Sequence, residues 1–73
     1  MPKWGEFQKG NQVRPGFRQY SAILWDIPWG QSWEKTCEIT PATVRGHYFP
    51  RPTRCVNTGT NIWGEFDVPD SSC

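Results

Sequence analysis

The sequence predicts an all-β fold, a small antiparallel barrel or sandwich of about five short strands held by a disulfide. Three observations lead there. Seven glycines and seven prolines are spread along 73 residues, so almost every window is interrupted and few stretches stay free for a helix. Apolar residues make up 36% of the chain, while Phe, Trp and Tyr make up 15%. The core is therefore built from a few large rings, a composition that disordered chains lack. Domains of this size bury only about 60% of the surface that the unfolded chain exposes, so extra fastening is expected.

Residues 1–16 read as an extended, polar N-terminal segment, partly mobile, in which Pro2, Gly5, Gly10, Pro15 and Gly16 break any period. Residues 17–73 form a single β domain. Its first strand covers residues 17–27, with Ser21, Ile23, Trp25 and Ile27 on one face and Tyr20, Ala22, Leu24 and Asp26 on the other. Both faces carry apolar groups, which places the strand centrally. Pro28 to Gln31 supply a turn, Pro28 through its fixed φ and Gly30 through its freedom to take a positive one. Trp29 is left at the tip.

Ser32 to Ile39 alternates cleanly, Trp33, Cys37 and Ile39 against Ser32, Glu34, Thr36 and Glu38, and is expected to be the returning strand of a hairpin. In that hairpin Trp25 and Trp33 face each other as structural rings. After Pro41 the segment Val44-Arg45-Gly46-His47-Tyr48 repeats as Ile62-Trp63-Gly64-Glu65-Phe66, which implies two strands of like geometry, each with a glycine under a close neighbour. Phe49-Pro50-Arg51-Pro52 is a loop, because two prolines remove two ladder donors. Thr53 to Val56 and Asn61 to Val68 complete the strands, with Ile62, Phe66 and Val68 inward and a turn at Asn57-Thr58-Gly59.

Cys37, Cys55 and Cys73 are spaced 18 residues apart. One bridge and one remaining thiol are the expected outcome in an exported chain, and closing such a loop stabilises the fold by roughly 3 kcal/mol. Cys37 with Cys55 is the pair chosen, as both sit in expected strands; Cys55 with Cys73 closes an equal loop and is the alternative. Cys73 at the end of the chain stays free or links two copies as a homodimer. The three cysteines and His47 also count to a zinc set, but gaps of 10, 8 and 18 residues lack the close pairs of structural zinc sites. No metal or other cofactor is expected.

Eight Lys and Arg against seven Asp and Glu leave a net charge of +1, which supplies no general field for nucleic acid. No apolar run reaches the ~20 residues of a membrane span. The chain opens without a signal peptide, so a secreted form implies a leader removed ahead of Met1. His47 is the only histidine, and Cys55 is the nearest nucleophile to it; a chain this small has little room for a cleft and an orienting third group, so no enzymatic activity is expected.

The expectation is a secreted, non-enzymatic binding module for a glycan or protein, a toxin or effector being one form. Trp29 at a turn tip lacks a core to enter and is an anchor candidate. The stretch from Arg45 to Arg54 adds Arg45, His47, Tyr48, Arg51 and Arg54, a basic and aromatic loop stiffened by prolines. The alternatives are a serine protease inhibitor presenting Arg51 or Arg54 and a metal-stabilised intracellular interaction domain.

Overall fold

The computed structural model describes residues 1–73. Seven strands and one short helix follow in order: β1 (Lys3–Trp4), β2 (Gln8–Arg14), β3 (Phe17–Trp25), α1 (Trp33–Ile39), β4 (Ala42–Val44), β5 (His47–Phe49), β6 (Arg54–Asn57) and β7 (Ile62–Pro69). The all-β class holds. One sheet has five strands, in the order β1-β3-β7-β6 with β2 also paired to β3, and β4 and β5 form a separate hairpin. All pairings are antiparallel.

β3 is central, as its two apolar faces require, and pairs with β7 from Phe17 opposite Pro69 to Ile23 opposite Trp63. Its even positions Tyr20, Ala22 and Leu24 are buried, together with Ile62, Phe66 and Val68 of β7. Residues 1–16 are extended and belong to this sheet: β1 pairs with Leu24 and Trp25, and β2 pairs with the stretch from Phe17 to Ser21. Trp4 and Phe7 pack edge-on against Phe66, their ring centroids 5.2 and 5.6 Å from its ring. Gly64 is required beneath Trp4, since a Cβ there would collide with the indole.

The inner face of the sheet has two covers. The β4–β5 hairpin brings Ala42 and Val44 over Tyr20, Phe66 and Val68, with Phe49 edge-on to Phe66 at 5.2 Å. Helix α1 brings Cys37 over Leu24 and Ile62. Trp4 packs against both clusters and donates from its indole Nε1 to the Pro41 carbonyl at 2.9 Å.

Ser32–Ile39 is not a strand. Ser32 is the N-cap of α1 and its Oγ accepts from the Lys35 N–H at 3.1 Å, while Glu34 lies in the first turn. Thr36 and Cys37 turn inward, and Ile39, the residue that completed the apparent alternation, is 76% exposed. The buried face follows helical spacing through threonine and cysteine, which hydropathy alternation does not register. Asn57 ties α1 to β6 by donating to Glu34 at 2.7 Å, which with the Glu34 backbone N–H lowers the pKa of that carboxyl. Trp25 and Trp33 consequently do not face each other across a hairpin.

The disulfide joins Cys37 to Cys55. The pairing matches the expectation, but it links a helix to β6 and not two strands. The internal repeat also divides: Arg45 and Gly46, with φ of 52° and 82°, form the β4–β5 hairpin turn, whereas Gly64 lies within continuous β7. Like spacing does not give like geometry here: Gly64 has a ring above it, whereas Gly46 has open space. No helix is long and apolar enough to cross a membrane.

Candidate functional site

Pro28 to Gln31 forms the expected turn, closed by a hydrogen bond from Gln31 N to Pro28 O at 3.1 Å, with Gly30 at φ 85°. Trp29 at its second position is fully exposed. β3 ends where Asp26 takes a left-handed conformation, φ 61°, which Asp tolerates better than most residues. That bend brings the chain around into a cleft of ≈ 200 Å³ walled by Trp25, Ile27 and Trp33, with Asp26, Thr60 and Asn61 as its polar members. Trp25 is 47% exposed and Trp33 36%. The sequence pattern pairs their rings across a hairpin, whereas in the structure they are two walls of this cavity.

The arginine-rich stretch is not one loop. Its first half is the β4–β5 turn and β5, where Ala42, Val44, His47 and Phe49 lie on the inner side and Thr43 and Tyr48 on the outer. Arg45 and His47 share a largely polar cleft of ≈ 340 Å³ with Lys9, Tyr20, Asp70 and Ser71. Tyr48 points away from it and is 68% exposed. Arg51 is exposed between Pro50 and Pro52.

Arg54 is held elsewhere. Its guanidinium donates to Asp67 at 2.8 Å, Glu65 at 3.1 Å and Gln19 at 3.3 Å, and these two carboxylates raise its pKa, Asp67 foremost. Asp67 is buried and also receives Arg14 at 3.0 Å. A carboxylate taken out of water needs such partners, so Arg54 serves the fold on the outer face of β6 and β7. Of the six proposed ligand residues the structure brings only Arg45 and His47 to one cavity; Trp29, Tyr48, Arg51 and Arg54 lie apart from it.

Cys55 is bonded to Cys37, so its sulfur is no free nucleophile for His47 and no free zinc ligand. Cys73 is a free, half-buried thiol. Neither Lys9 nor the cleft positions of Trp25 and Trp33 are marked by the strand pattern of the sequence. The signal for Lys9 was the basic excess of residues 1–18, where Lys3, Lys9, Arg14 and Arg18 stand against Glu6. No protein-family model, curated protein or solved structure matches this chain.

Proposed function

We propose that the protein is a non-enzymatic binding module that takes a carbohydrate ring in the Trp25–Trp33 cleft, with Trp29, exposed on the turn between Ile27 and α1, as a second platform. The observation that carries this reading is the clustering of three incompletely buried tryptophans within nine residues, two of them walling a cavity that also offers a carboxylate, a hydroxyl and an amide. Indole faces suit the apolar C–H faces of a pyranose, while Asp26, Thr60 and Asn61 suit its hydroxyls. At ≈ 200 Å³ the cleft is smaller than the roughly 300–1,000 Å³ of pockets that enclose drug-sized ligands, so it fits one sugar unit of a longer chain.

The Cys37–Cys55 bridge belongs to the chemistry of oxidising compartments, which supports a secreted location. The protease-inhibitor alternative now rests on Arg51, since Arg54 is committed to Asp67 and Glu65. The test is a broad glycan screen with the wild-type chain and its Trp29→Ala, Trp33→Ala and Asn61→Ala variants, each checked by thermal unfolding. Trp29→Ala is expected to leave the melting temperature unchanged and to weaken binding at least about tenfold, the usual loss for an aromatic anchor. Absence of glycan binding by folded wild-type protein, or retention of full affinity in all three variants, overturns the reading.

A further inference from the structure

We propose that Lys9, Arg45 and His47 form an oxyanion site that takes a sulfate or phosphate ester group. It lies in a cleft separate from the tryptophans and does not depend on sugar binding there. The three residues come from β2, the β4–β5 turn and the start of β5, so the fold and not the sequence assembles them. A second cleft of ≈ 400 Å³ adjoins the first and shares Lys9, Tyr20 and Arg45, which makes these residues the ridge between two openings to solvent.

The charges on this ridge are unspent. Of eight Lys and Arg residues, Lys3, Arg14, Arg18 and Arg54 are paired with carboxylates. Lys9 and Arg45 pair with none and face the same space. Asp70 is the only acid on the cleft wall, and both its oxygens are engaged: Oδ2 by Arg18 at 2.9 Å, Oδ1 by the Ser72 N–H at 2.9 Å and its hydroxyl at 2.6 Å. Those bonds hold its carboxyl well below the usual carboxylate range, Ser72 contributing most. The carboxylate is thereby tied to Arg18 and Ser72, its charge offset by the Arg18 guanidinium, and it forms no ion pair with Lys9 or Arg45.

Arg45 adds a second reason. It occupies the left-handed region at φ 52°, in a two-residue hairpin turn that asparagine or glycine fills without strain. Its guanidinium gains no hydrogen bond or ion pair within the chain to offset that conformation. Non-glycine residues held in such strained conformations cluster at ligand sites and turns, and here the strain accompanies an unpartnered cation on a cleft wall. A guanidinium fork, an ammonium and an imidazole N–H, with the Ser71 hydroxyl beside them, are donors that a tetrahedral oxyanion satisfies together.

The experiment is a titration of the isotopically labelled full chain, followed by amide chemical shifts, with inorganic sulfate, phenyl phosphate and, at matched ionic strength, chloride. Sulfate or phosphate is expected to give saturating shifts at Lys9, Arg45, His47 and Ser71 that chloride does not reproduce. Arg45→Asn, which suits the turn, and Lys9→Gln are each expected to weaken binding about tenfold, the loss of one charge-assisted hydrogen bond. Lys35→Gln on α1 removes an equal charge elsewhere and is expected to leave affinity unchanged. A preference for one of the two oxyanions identifies the ester and supports the site. Shifts that rise linearly with all three salts, or full affinity in Arg45→Asn protein with a native melting temperature, overturn the proposal.

Discussion

One face of the sheet is closed by two different devices. Over Tyr20, Phe66 and Val68 the β4–β5 hairpin is held by ring packing, with Trp4, Phe7 and Phe49 converging on Phe66. Over Leu24 and Ile62 the cover is a helix of seven residues that buries Thr36 and Cys37 alone and is fixed by a covalent bond to β6. Large rings bury enough area to hold a hairpin in place without a covalent link. A helix this short is unstable in water by itself, since isolated helices need about 12–15 residues even with good propensity, so the bridge supplies what burial does not. The disulfide is therefore placed where the apolar cover is thinnest.

Removing the ring at the centre of the first cover is the largest perturbation. Phe66 is fully buried, and Phe66→Ala is expected to cost about 3–5 kcal/mol, a large share of the roughly 4–11 kcal/mol that a domain of this size holds, as measured by urea unfolding. Reduction, or replacement of Cys37 and Cys55 by serine, comes next at about 3 kcal/mol. Hydrogen exchange is expected to show the α1 amides opening first under reduction, while β4 and β5 keep their protection. If both regions open together, the two covers are one cooperative unit and the contrast between them fails. Cys73→Ser is expected to leave the unfolding midpoint unchanged. The smallest loss expected belongs to the helix cap: Ser32→Ala removes the acceptor of the Lys35 N–H and is expected to cost about 1 kcal/mol. No loss in the oxidised protein means that the bridge fixes α1 without help from its cap.

The strands that were legible in the sequence are those whose period survives burial on one side. Tyr20, Ala22 and Leu24, and again Ile62, Phe66 and Val68, are buried at every second position, so alternation reports them directly. Residues 1–16 were harder to place, because Trp4 and Phe7 are two rings in a polar context and their burial depends on Phe66, about sixty residues away. For the candidate site, the exposure of Trp29 followed from Pro28 and Gly30. The convergence of Arg45 and Lys9 on shared clefts did not, since it requires knowing that the β4–β5 turn and β2 border the same space.

Composition, strand period and turn chemistry by themselves determined the β class, the central position of β3, the inward face of β7 and the turn at Pro28–Gln31. Each of these is a local property repeated over many residues. Tertiary structure decided that Trp33–Ile39 coils into α1, because a seven-residue segment has too little intrinsic preference to choose and takes the conformation that delivers Cys37 to Cys55 over Leu24. It also decided that Trp25 and Trp33 line a cleft and that Arg54 is bound to Asp67. Both outcomes depend on which side chains long-range pairing sets beside each other, and neighbours distant in the chain leave no period in it to read.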